Sequence, residues 1–179
     1  MSSYEKVTDE IRSIAEKLLK EEKVEKIIGF GKGLFSDEVT PIFVSRLKDV
    51  DRLIFSPQAS MSLAKYLLNY KDQKVAIVAK PCDSRAIASY LSEDMIKREK
   101  VKIIGINGCP GIEDNSACQE CDIRNPVIAD YTVGEEMSEE EIQAEIEDFE
   151  DEIEKMSPAE RMEYFRKEFE RCTRCYACR

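Results

Sequence analysis

Two nearly unbroken apolar runs, VAIVA at residues 75–79 and VKIIGI at 101–106, set the pattern of the chain. Both are short, rich in Val and Ile, and bounded by Gly or Pro, as strands buried on both faces are. Between them Ala86, Ile87, Ala88, Tyr90 and Leu91 predict a helix, with Asp83 or Ser84 placed to cap it. Strand, helix, strand is a βαβ unit, whose two strands run parallel. Upstream, Val7, Ile11, Ile14, Ala15, Leu18 and Leu19 recur at helical spacing behind a Ser2–Glu5 capping box and predict a helix to about Lys23.

Residues 24–30, 42–44 and 52–55 read as further strands, and Leu63, Ala64, Leu67 and Leu68 as a helix introduced by residues 56–60. Gly29, Gly31 and Gly33 suggest a phosphate cradle, but such a cradle opens a helix and no helical stripe follows, so a turn or hairpin is expected. After Cys121 the core character fades, and residues 126–129 allow a last edge strand. Ser138 with Glu141 opens a helix striped by Ile142, Ile146, Phe149 and Ile153, either docking a partner or simply solvated. Ser157 with Glu160, and Pro158 between them, opens another through Met162, Phe165 and Phe169. The expected fold class is α/β, a small mixed or parallel sheet with flanking helices, followed by a helical arm leading to a truncated ferredoxin-type module. Its divisions are an α/β domain with a four-cysteine metal site at 1–134, an acidic helical arm at 135–170, and the start of a 4Fe-4S module at 171–179.

Composition narrows the chemistry. At 179 residues and 42% hydrophobic content the chain can build one ordinary domain with an appendage. The net charge of −10 argues against nucleic acid, whose phosphates demand a basic face. A dozen acidic side chains between 135 and 154 account for about all of that charge. No stretch reaches membrane-span length and MSSYEKVTDE holds no signal-peptide segment, so a cytoplasmic protein is expected. There, seven cysteines read as metal ligands or redox thiols rather than disulfides. With no histidine in the chain, any metal is held mainly by thiolate, which favours iron–sulfur clusters or zinc.

The cysteines fall where that chemistry needs them. Cys82 follows the first buried run and Cys109 the second, so both leave the same carboxyl-terminal sheet edge, where open α/β sheets bind ligands. Neighbouring strands lie about 4.8 Å apart, which keeps the two sulfurs within about 10 Å even across a one-strand gap. Cys118 and Cys121 follow in a loop rich in Gly, Pro, Asn and Asp. An iron–sulfur cluster on Cys82, Cys109, Cys118 and Cys121 is favoured over zinc, which prefers paired C-x2-C knuckles. Incidental buried thiols are one alternative. Another makes Cys82 a reactive thiol with its pKa lowered by a helix N-terminus. Lys80 and Arg85 flank the site and can hold a cofactor phosphate or balance cluster charge, or be surface cations. Cys172, Cys175 and Cys178 form C-x2-C-x2-C, the opening of the bacterial ferredoxin run. The expectation is an N-terminal piece of a longer polypeptide, or a gene fragment.

At KVAIVAKPCDSRAIASYL, IIGINGCPG, the following C-x2-C and the terminal CTRCYACR, the chain resembles the N-terminal part of the coenzyme F420 hydrogenase/dehydrogenase beta-subunit family. The resemblance covers most of the chain from about Val24. It implies an iron–sulfur electron-transfer subunit, often carrying FAD, in formate dehydrogenase, hydrogenase or heterodisulfide-reductase-like complexes of anaerobes. By position it implies cluster ligands at Cys82, Cys109, Cys118 and Cys121, and ferredoxin-type clusters begun by Cys172, Cys175 and Cys178. The expected function is therefore electron transfer inside an anaerobic oxidoreductase complex. The rivals are a flavin-dependent subunit that itself takes hydride from F420 or NAD(P)H, and a non-redox zinc-stabilised adapter.

Overall fold

The computed structural model describes residues 3–35, 38–109, 121 and 123–170. The chain begins with helix α1 (Ser3–Lys20), then strands β1 (Lys26–Lys32) and β2 (Val39–Val44) and two 3-10 turns, Leu47–Arg52 and Ala64–Asn69. Strand β3 (Val75–Ala79), helix α2 (Pro81–Ser92) and strand β4 (Val101–Ile106) form the βαβ unit. Strand β5 (Tyr131–Val133) and helices α3 (Glu139–Lys155) and α4 (Pro158–Glu170) complete the described order.

Among the described residues the sheet has five strands in the order β2-β1-β3-β4-β5. Strand β2 is antiparallel to β1, and every other pairing is parallel. The α/β class and the mixed sheet with flanking helices are as expected. Helix α1 packs on β3, β4 and β5, while α2 packs on β3, β4 and the Ala64–Asn69 turn. The central strands thus have helical cover on both faces, and all five residues of β3 are buried. Burial on α1 falls on Val7, Ile11, Ala15 and Leu18, the stripe that its periodicity picks out.

Helix α1 stops at Lys20 rather than near Lys23. Glu22 turns left-handed with φ of 51°, and Lys23 N–H closes on the Leu18 carbonyl at 3.1 Å. That is a Schellman stop, here without the usual glycine. The Ser2–Glu5 box lies outside the described residues. The glycine-rich segment is part of a hairpin: Gly29 and Gly31 sit inside β1 and pair with Ile42 and Thr40 of β2.

Residues 52–55 do not make the expected strand. Strand β1 pairs with β3 only from Lys26 to Ile28. Beyond that point Leu53 bridges Gly31 and Ile54 N–H reaches the Phe30 carbonyl at 2.9 Å. This segment fills the place beside β1 that β3 leaves open. Helix α1 pins it, with Arg12 donating to the Leu53 and Asp51 carbonyls at 2.8 and 2.6 Å. Residues 126–129 are not a strand either. Pro126 has no N–H for a ladder, and the segment crosses Gly105 so closely that an added Cβ would stand 2.7 Å from Pro126 and 2.9 Å from Ala129. The edge strand is β5, two residues further on.

Both arm helices start at their expected boxes: Glu141 N–H donates to Ser138 at 3.2 Å and Ser157 N–H to Glu160 at 2.8 Å. None of the described side chains on α3 or α4 is buried. No helix among the described residues is long and apolar enough to cross a membrane.

Candidate functional site

The carboxyl ends of β3 and β4 lie side by side, since Ala79 pairs with Gly105 at the last rung of the ladder. Helix α2 begins directly at Pro81, whose ring suits a first helical position. Asp83 and Ser84 are therefore inside the helix rather than caps. Asp83 reaches back to accept the Lys80 N–H at 3.4 Å. Its other oxygen accepts Ser62 Oγ at 2.7 Å and Leu63 N–H at 3.0 Å. Ser84 donates to the Pro81 carbonyl at 2.7 Å and accepts Val127 N–H at 3.0 Å. The turn carrying Cys82 is thus fastened to the 59–63 segment on one side and to 126–129 on the other.

Cys82 itself is exposed, and none of the described cysteines is in a disulfide. Desolvation around its sulfur, aided by the Asp83 carboxylate and Cys109 and opposed by Lys80, pushes the thiol up to about 12. The exposed part of the residue leaves a way in while the crowding governs the proton. The result runs against the reactive-thiol alternative, which needs a lowered pKa.

Cys109 is half-buried at the end of the turn after β4. The turn is set by Gly108, at φ of +53°, where an added Cβ would stand 2.2 Å from the Glu135 carbonyl. Glycine takes that conformation without strain, and only glycine leaves room for that approach. Gly108 N–H donates to Asn125 Oδ1 at 3.1 Å, and the same oxygen accepts Met137 N–H at 3.1 Å. Cys109 N–H donates to the Arg124 carbonyl at 2.9 Å. Arg124 returns a bond from Nη1 to the Cys109 carbonyl at 3.4 Å. Cys121, also half-buried, points its thiol at the Ile123 carbonyl at 3.5 Å.

Of the expected ligands, Cys82 and Cys109 follow the ends of adjacent strands, and Cys121 is three residues from the Arg124 that clasps Cys109. Cys118, Cys172, Cys175 and Cys178 lie outside the described residues. Among the described residues no three Cys, Asp or Glu side chains group closely enough to hold a metal ion.

The two expected cofactor cations differ. Lys80 is only 2% exposed. Its ammonium donates to the Ala59 and Met61 carbonyls at 2.7 Å each, stands 3.6 Å from Asp83, and lies 4.8 Å from the centre of the Phe30 ring. This geometry makes Lys80 a strut of the fold rather than a phosphate hand, because its N–H groups are spent on the protein. Arg85 is exposed on α2. Arg124 and Asn125 are the residues that pattern reading passed over, and the only signal for them was their place next to Cys121.

A separate cavity of about 420 Å³ opens at the ends of β4 and β5, against Tyr4, Val7, Phe55, Gly108 and Met137. Lys6 and Glu135 pair at its rim at 3.0 Å. None of the described cysteines lines it. No protein-family model matches the chain.

Proposed function

We propose that this chain is an iron–sulfur electron-transfer subunit of a cytoplasmic, anaerobic oxidoreductase complex, of the kind its resemblance to the F420 hydrogenase/dehydrogenase beta-subunit family implies. The observation that carries the reading is the placement of Cys82 and Cys109 at the carboxyl ends of two adjacent parallel strands, β3 and β4, where open α/β sheets take their ligands. Cys121 lies three residues before Arg124, which bonds both main-chain groups of Cys109.

The donor set fits the group. Thiols without histidine suit an iron–sulfur cluster, and a bound metal deprotonates a coordinating thiol outright. Cys82, Cys109 and Cys121 would hold it together with Cys118, while Cys172, Cys175 and Cys178 would start ferredoxin-type clusters. When bound, such a cluster supplies one-electron exchange at a potential set by its ligands, hydrogen bonds and burial. The chain's own residues then have positional tasks. Asp83 and Ser84 hold the Cys82 turn, and Gly108 and Asn125 hold the Cys109 turn. FAD and the hydride donor, where used, belong to the complete assembly, and the acidic arm docks a partner subunit.

The test is metal and acid-labile sulfide analysis, with EPR after dithionite reduction, on anaerobically prepared wild type and Cys82→Ala. About four iron and four sulfide per chain are expected in the wild type, lost in the variant. Zinc in colourless protein would replace the redox reading with the structural adapter, and iron unaffected by Cys82→Ala would remove the sheet-edge site.

A further inference from the structure

We infer that the aromatic surface on the outer strand β2 is the seat of the acidic arm of a second copy of this chain. The inference rests on the docking role given to the arm above, names the partner, and makes no use of the thiols. Phe43 of β2 is 39% exposed. Tyr66, in the Ala64–Asn69 turn, meets it edge-on at 5.4 Å between ring centres, and Tyr70, just past that turn, lies at 5.6 Å. Two ammonium groups stand over these rings: Lys65 at 5.2 Å from the centre of Tyr66 and Lys26 at 4.8 Å from that of Tyr70. Among the described residues neither lysine is in an ion pair. Half-exposed rings are the usual anchors of protein interfaces, and here they carry positive charge.

A partner meets these side chains rather than the strand edge. Ile54 N–H reaches the Phe30 carbonyl, so Phe30 turns its main chain away from β2. Pro41 stands opposite Phe30 and in an antiparallel ladder turns its own main chain outward. Proline brings no N–H to that outer edge, which blocks the addition of a further strand.

The chain carries the complement of this surface. Residues 135–154 hold acid without a single Lys or Arg, and the aliphatic Ile142 and Ile153 of α3 are not buried. Carboxylates meet ammonium groups and aliphatic groups meet rings, a match of sign and of polarity. Arm and seat lie at opposite edges, since the arm follows β5 and the sheet runs β2-β1-β3-β4-β5. Pairing between copies is therefore head-to-tail, with two different surfaces in each contact, and it closes as a ring or grows as a chain.

The experiment is sedimentation velocity of the full chain in reducing buffer over a concentration series, at low and high salt. The variants are Lys26→Glu/Lys65→Glu, which spoils the seat, Glu147→Lys/Asp148→Lys, which spoils the arm, and Phe43→Ala. Wild type is expected to associate with rising concentration, and high salt to weaken that association. Each charge-reversed variant alone should associate about tenfold more weakly, and Phe43→Ala should weaken it as well. Mixing the two charge-reversed variants is the decisive arm. One keeps a sound arm and the other a sound seat, so the mixture should form a one-to-one dimer that grows no further, which also shows that both variants are folded. Monomeric wild type at every concentration and salt overturns the inference. So does association that ignores both double variants, or a mixture no more associated than its parts. Docking of the arm on a different subunit is read separately, by capture, and the thiol edge by its iron and sulfide.

Discussion

Asp83 carries more of the structure than any other single side chain near Cys82. It is fully buried, faces the buried Lys80 at 3.6 Å, and accepts hydrogen bonds from Ser62, Leu63 and Lys80. Removing one partner of a buried ion pair leaves the other charge uncompensated, typically at about 3–5 kcal/mol. Asp83→Ala should therefore cost about that much in urea unfolding, and Asp83→Asn less, since an amide oxygen can still accept from Leu63. A loss below about 1 kcal/mol for Asp83→Ala would mean that the Ala59 and Met61 carbonyls alone suffice for Lys80. From the sequence, Asp83 reads as a cap and Lys80 as a candidate phosphate ligand, because a lone polar residue at a strand end carries no mark of burial. The burial comes from the 59–63 segment folding over it, a contact some 20 residues away in sequence. Arg124 was hidden for the same reason. Its partner Cys109 is set by chain return, not by spacing.

At the scale of elements, β5 depends on one carboxylate. Asp130 accepts Ile103 N–H of β4 at 2.8 Å and pairs with Arg98 at 2.9 Å and Lys102 at 3.4 Å. Partial desolvation pushes its pKa up, but Arg98, the Ile103 N–H and Lys102 outweigh that and hold it below the ordinary carboxylate value. A folded-state pKa below the unfolded one, about 3.9, gives stability that is complete at neutral pH and is lost as pH falls through the folded value. Asp130→Asn should cost about 1–2 kcal/mol at pH 7, with the gap from wild type closing towards pH 3. A gap of constant size across that range would show that the charge is not the source. Strands β3 and β4 are legible in sequence because unbroken apolar runs mark them, and their bounds match the expected ones. Strand β5 is not, since its three residues form a strand only because Asp130 and β4 hold them there. The 52–55 segment was legible as extended chain but not as a wedge: its bridge to β1 lies beyond the last β1–β3 pair, Ile28 with Ile77.

Taken whole, the described molecule has a buried sheet core and a pair of helices that bury none of their described side chains. Residues 135–154 carry acid without a single Lys or Arg, and α4 leaves Met162 at 72% and Phe169 at 78% exposure. Acid on one helix and bare apolar groups on the next suit a basic partner with an apolar seat. Exposed ion pairs are worth about 0.2–1 kcal/mol each. Replacing Glu139, Glu140, Glu147 and Asp148 by their amides should then weaken capture of partner subunits roughly tenfold at low salt. The difference should fade as salt rises. Capture that ignores the four replacements at low salt would leave α4, not α3, as the contact.

One carboxamide joins these scales. Asn125 Oδ1 serves two masters, the Gly108 N–H beside Cys109 and the Met137 N–H at the root of the arm, and its Nδ2 holds the Met137 carbonyl at 2.7 Å. An amide oxygen has two lone pairs, and both are in use. A tug on the arm is therefore felt at the thiol edge as strain on a shared rivet, without first passing through the sheet.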